Sequence, residues 1–120
     1  AARAQRQPCA SRVFASGGRL LVATQGDAVL GLAVWRVLEN TMFGRFLYVD
    51  DLVTASALRS RGVGKALLSR CEAIAVELGC REFVLDSGVQ RADTHRFYFR
   101  EGLVVRAFNF GKSLPVPSGT

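Results

Sequence analysis

Residues 45–65 read RFLYVDDLVTASALRSRGVGK. The first ten are rich in aromatic and β-branched side chains and predict a strand over 45–54. The last seven, R-S-R-G-V-G-K at 59–65, follow that strand and open an amphipathic helix. Two glycines there let a ligand approach the backbone closely. The first N–H groups of a helix have no partner inside it, and the helix dipole adds positive character. The segment is therefore an anion site by construction, with Arg59, Arg61 and Lys65 adding charge. Two phosphate motifs are excluded. A Walker loop needs Ser or Thr after its Lys, and Ala66 stands there. A dinucleotide fingerprint needs a third glycine where Leu67 stands.

Outward from this segment the chain reads as one domain over 1–120. Residues 1–18 form a short N-terminal segment, with a helix expected over 8–15 that starts at Pro8 and stops at Gly17-Gly18. Strands are expected over 19–24 and 29–38, joined by a turn at 25–28. With 45–54 they make an antiparallel meander. The apolar period then changes. Val63, Ala66, Leu67, Ile74 and Leu78 mark a helix over 63–78, with Gly79 just past its end. A short strand over 82–86 runs parallel to the third, because a helix crosses between them. A second helix spans 93–100, with Asp93 as its N-cap and Gly102 at its end. Residues 103–110 alternate and predict a last strand, and 113–120 read as a tail. Trp35, Phe46, Phe83, Phe97 and Phe108 are expected in the core. The fold class is α/β (α+β), a mixed and mostly antiparallel sheet with helices on its faces.

The chain has 120 residues, 16 basic against 10 acidic, a balance of +6. Such a charge favours anionic partners: nucleic acid, phosphates or a CoA-type ligand. No recognisable RNA or DNA motif is present, so nucleic acid is not the expected partner. A hydrophobic fraction of 49% excludes a disordered chain. The three cysteines (Cys9, Cys71, Cys80) form no C-x-x-C pattern, and there is one His. No metal site is expected, and a reducing, cytoplasmic setting is the simplest reading. No apolar run is long enough to cross a membrane as a helix, and no signal peptide is read at the start.

Two blocks together carry a family resemblance. Arg59-x-x-Gly62-x-Gly64 after YVDDLVT resembles the acyl-CoA-binding motif [QR]-x-x-G-x-[GA] of the GNAT acetyltransferase superfamily. His95 to Leu103, HRFYFREGL, resembles that family's F-Y-x-x-x-G-[FL] helix and turn. The likeness covers about residues 19–112. It implies an N-acetyltransferase that moves acetyl from acetyl-CoA to a primary amine, on a small molecule or peptide, in a ternary complex without metal. The amides of Arg61, Gly62, Val63, Gly64 and Lys65 would bind the CoA pyrophosphate, and Arg59 would border it. The backbone of Leu52, Val53 and Thr54 would pair with the pantetheine arm like an added strand. Tyr98 would protonate the departing thiolate.

The chemistry of transfer agrees with these residue types. A phenol suits a thiolate leaving group, since their reference pKa values lie within about two units. A base must also take the amine proton. Asp50 and Asp51 precede the pantetheine residues, and alternation lets only one face the cleft. Asp50 is favoured, and a bulge in this strand would bring in Asp51. Arg91 stands where many relatives have Asn, at the edge of the cofactor site. His95 shares a helix face with Tyr98. The region ahead of the first strand is shorter than in most members, and the lone last strand would leave an exposed edge that favours a homodimer. A non-catalytic acyl-CoA-binding module on the same fold is the alternative reading, followed by a basic nucleic-acid-binding domain.

Overall fold

The computed structural model of the chain describes residues 11–55 and 62–117. Its elements are β1 (Arg19–Gln25), β2 (Ala28–Asn40), β3 (Gly44–Thr54), α1 (Val63–Glu77), β4 (Glu82–Leu85) and α2 (Ala92–Arg100). Every strand and helix expected between 19 and 100 is present, with ends within two residues of the expected ones. Residues 11–15 are helical, and the earlier part of the helix expected over 8–15 lies outside the described residues. The strands form one sheet in the order β1-β2-β3-β4. β1–β2 and β2–β3 are antiparallel, and β3–β4 is parallel.

The chain divides into two compact units, Ala1–Leu85 and Asp86–Thr120. In the first, α1 lays Val63, Leu67, Leu68, Cys71 and Ala75 along one stripe. Ala33, Leu47 and Val49 of the sheet meet Cys71 and Ala75, with Trp35, Leu52, Ile74 and Phe83 packed half-buried around them. Leu47 and Cys71 are fully buried. Burial pushes the Cys71 thiol up from 9.0 to about 11, because an apolar surrounding disfavours the thiolate. Gly31 is required by packing. A Cβ there would lie 2.7 Å from the Val53 carbonyl oxygen and 3.0 Å from Val63 Cγ1. Its absence lets β2, β3 and the start of α1 close together.

The β2–β3 turn is tied by Asn40, whose Oδ1 accepts from the Met42 and Phe43 amides at 3.1 and 2.7 Å. α1 ends in a Schellman motif, in which the Cys80 amide donates to the Ala75 carbonyl and Gly79 to Val76. α2, in the second unit, ends the same way: Leu103 donates to the Tyr98 carbonyl and Gly102 to Phe99. The Gly-Leu pair that closes the second sequence block is thus the C-terminal cap of α2.

Three expectations are corrected. Residues 103–117 hold no regular secondary structure, so no strand spans 103–110. Alternation describes what a strand's faces need, but a strand forms only against a ladder partner, and the described residues supply none to this segment. Phe108 accordingly is not core: it is 79% exposed, and Phe110 is 93% exposed. Asp93 is not the N-cap of α2. Arg91 holds that position without a side-chain cap bond, and Asp93 lies in the first turn, where it accepts from Arg96 Nη1 at 2.7 Å.

Candidate active site

The site begins with a change of pairing inside β3. Residues 46–49 pair with β4 residues 82–85, and that ladder stops at the Val49–Leu85 pair. On the other edge β2 stays paired as far as Thr54, but its register shifts between Val34 and Trp35. Val34 faces Asp51, Trp35 faces Val49, and Asp50 is the extra residue of a β-bulge.

The bulge sets the backbone beyond it. The Ala55 amide donates to the Leu30 carbonyl at 3.0 Å. By antiparallel alternation, Val53 and Asp51 also turn their amides and carbonyls toward β2. A Cβ on Gly31 would indeed lie 2.7 Å from the Val53 oxygen on that side. Leu52 and Thr54 therefore present N–H and C=O on the opposite edge, the one β4 has left. Of the three residues expected to pair with a pantetheine arm, two offer that edge, and Val53 is committed to β2. A cleft of ≈ 270 Å³ lined by Gly31, Val53, Thr54 and Ala55, among others, lies at this end of the strands.

The glycine segment leads from this edge into α1. Arg59 and Arg61 lie outside the described residues. Gly62 is the N-cap at φ 79°, in the left-handed region. The Ala66 amide is bonded to the Gly62 carbonyl at 3.0 Å, which marks the first turn of the helix. The first turn carries no acidic residue, and no side chain caps it. The Val63, Gly64 and Lys65 amides precede that first intrahelical bond, so this end of α1 has the polarity an anion needs. Val63 is buried and roots the loop in the core, while Lys65 is exposed.

The bulge also decides where the two carboxylates go. Asp51 lies opposite Val34, and Val34 shares a face of β2 with Arg36. Asp50 makes a two-point ion pair with Arg36: Nε donates to Oδ2 at 2.9 Å and Nη2 to Oδ1 at 2.7 Å. Both carboxylates thus belong to the sheet face that points away from α1. The expectation that only one of them faces a given side is corrected, because the extra residue cancels the alternation. Arg36 is the partner of Asp50 that sequence reasoning missed. The signal existed in the hairpin register, which places Arg36 opposite Tyr48. Reading it required the bulge, a property of two strands together.

In the second unit, Tyr98 lies half-buried on α2, its ring 5.4 Å from that of Phe97. His95 Nε2 is 2.8 Å from the Gly88 carbonyl oxygen, which also accepts from the Arg91 amide at 3.1 Å. His95 therefore fastens the 88–91 loop to α2, and Arg91 sits where that loop becomes helix. Among the described residues, no group of three or more His, Cys, Asp or Glu side chains could hold a metal ion. No helix among them is long and apolar enough to cross a membrane.

Comparison with known proteins bears on this geometry. The model of the acetyltransferase (GNAT) family matches residues 3–102. The uncharacterized N-acetyltransferase YhdJ of Bacillus subtilis is 40% identical over 70 residues, 58% of this chain and 49% of that protein. The aminoalkylphosphonate N-acetyltransferase of Salmonella typhimurium is 35% identical over 66 residues, 55% of this chain and 43% of its own length. The chain thus spans about half the length of the curated relatives it matches. Among solved structures, AAC(6')-Iy in complex with the bisubstrate analog CoA-S-monomethyl-acetylneamine superposes with a TM-score of 0.75 at 16% identity, covering 93% of this chain and 80% of that one. That last likeness is one of fold.

Proposed function

The chain belongs to the GNAT acetyltransferase family, and we propose that it transfers an acetyl group from acetyl-CoA to the primary amine of a small molecule. The observation that carries the reading is the open edge of β3. Leu52 and Thr54 offer backbone donors and acceptors at the point where the strand leaves β4, and the glycine-capped start of α1 follows in sequence. An extended amide chain ending in a pyrophosphate needs those two features in that order.

In this reading the pantetheine amides add to the β3 edge at Leu52 and Thr54. The pyrophosphate is held by the amides of residues 61–65, with Arg59, Lys65 and Arg91 supplying charge. The amine nitrogen attacks the thioester carbonyl, the C–S bond breaks, and Tyr98 gives its proton to the departing thiolate. The ammonium proton leaves to a carboxylate at the bulge, Asp50 or Asp51, directly or through water. That two carboxylates share one sheet face suits a cationic acceptor. The Salmonella relative, named for an aminoalkylphosphonate, points to the same small-amine class.

Calorimetric titration with acetyl-CoA, with dephospho-CoA and ATP as controls, tests the cofactor half. Binding is expected, and Gly62→Val is expected to weaken it by about 100-fold, or about 2.7 kcal/mol. A Cβ at Gly62 meets nothing within 4 Å. The effect therefore comes from the left-handed backbone and from filling the anion's space. Unchanged affinity in Gly62→Val would refute the loop assignment. Thiol release across an amine panel tests the transfer half, with Tyr98→Phe expected to lower kcat far more than acetyl-CoA affinity.

A further inference from the structure

Arg36 is the one charged side chain at the bulge that the transfer chemistry above does not use. Its guanidinium is fixed by Asp50 through Nε and one hydrogen of Nη2. The two Nη1 hydrogens and the second on Nη2 lie outside that pair, by the geometry of the fork. Neither partner is sealed from solvent: the Arg36 side chain is 25% exposed and Asp50 18%. Asp51 follows on the same face of the sheet. The face thus carries a neutralised ion pair whose cationic member still has donors to give, beside a second carboxylate.

A purely structural role accounts poorly for this arrangement. The two-point pair holds β2 to β3, but an apolar pair of similar volume would serve the sheet as well. What the pair does achieve is orientation. An unrestrained Arg loses much rotamer freedom when it captures an anion, whereas one already held by a carboxylate presents a planar fork at little further cost.

We propose that Arg36 is an acceptor-specificity residue that binds a carboxylate on the amine substrate, with Asp50 as the anchor that holds its guanidinium in place. The acceptor class is then a zwitterionic amine. Its carboxylate meets Arg36, and its amine is the nucleophile of the transfer. This rests on the reading of the bulge as the place where the acceptor amine is received.

The test compares two amines of equal carbon number, n-propylamine and β-alanine, on the whole chain. Calorimetric titration in the presence of CoA measures binding, and thiol release with acetyl-CoA measures transfer. β-Alanine is expected to bind the wild-type chain at least about tenfold more tightly. Arg36→Gln is expected to abolish that preference, Arg36→Lys to keep part of it, and Asp50→Asn to reduce it by releasing the guanidinium. Equal affinity of the wild type for the two amines overturns the proposal, as does a preference that survives Arg36→Gln. The wild-type comparison decides even if a variant fails to fold. An Arg36-dependent preference in binding without transfer to either amine would sink the acetyltransfer reading and leave this site standing. Transfer to both amines with no preference would do the reverse.

Discussion

Residues 44–49 of β3 face a strand over part of their length on the β4 side and are paired throughout to β2, whereas residues 51–54 are paired, among the described residues, to β2 alone. The first half contributes Phe46, Leu47 and Val49, all buried. The second contributes two carboxylates and an open backbone edge. One inserted residue, Asp50, separates the two regimes. A strand can hold a core together and present a binding edge if its pairing changes midway, and a bulge is the smallest change that does so. The stability of this unit and its open backbone edge are thus written into adjacent stretches of one strand, and so are separable by mutation.

The widest separation is expected at Leu47. Its side chain is fully buried against α1. Leu47→Ala is expected to cost about 2–5 kcal/mol in chemical denaturation, while acetyl-CoA affinity of the folded fraction changes little. A matching loss of affinity at low temperature, where the variant is folded, would erase the distinction between the halves.

Cys71 sharpens the same contrast through pH. Its thiol stays protonated in the fold to about pH 11, against 9.0 ordinarily. Below 9.0 both folded and unfolded chains keep the proton, so its contribution to stability is whole there. From 9.0 to about 11 the unfolded chain gives up its proton first, and stability falls with rising pH by about 2–3 kcal/mol. Cys71→Ala is expected to lack this part of the alkaline decline. Denaturation curves of the two proteins at pH 8 to 11 check it, and parallel declines would remove the buried thiol as the cause.

The smallest effects come from a pair of proline substitutions beyond the bulge. Val53→Pro removes an amide turned toward β2 and strands a carbonyl there, at a cost of about 1–3 kcal/mol in stability. Leu52→Pro removes an amide turned outward. It is expected to leave the β2 ladder intact and to weaken acetyl-CoA binding by about 3–10-fold, the net worth of one hydrogen bond. Paired melting and calorimetric titration separate the two. Leu52→Pro also loses the side chain that packs on the core, so binding decides: if Leu52→Pro binds acetyl-CoA as tightly as Val53→Pro, the edge assignment is wrong.

Much of this fold is readable along the chain because its elements are local. The 3.6-residue period over 63–78, the glycines that end each helix, and the change from strand to helix at the R-S-R-G-V-G-K segment all lie within one window of residues. What escaped reading is pairwise. The site of the bulge depends on how β2 and β3 match, so neither the shared face of Asp50 and Asp51 nor the Arg36 pairing follows from either strand alone. Residues 103–110 show the converse, since an alternating pattern states which faces a strand would have without supplying a neighbour to bond. Asp93 failed as a cap because the helix began one residue earlier than its own pattern suggested, which moved the carboxylate into the first turn.

The shortness of the open edge has a consequence for solubility. Unpaired strand edges are templates for foreign strands, and long flat ones lead to aggregation. Here Leu52 and Thr54 are the only β3 residues that turn outward past the bulge, and Asp50 and Asp51 put charge immediately before them. Two outward residues offer far fewer hydrogen bonds than a typical strand of about five residues makes. A flexible ligand with its own anionic anchor needs far fewer. The length of the edge thus limits which strand could add to it before any side chain does.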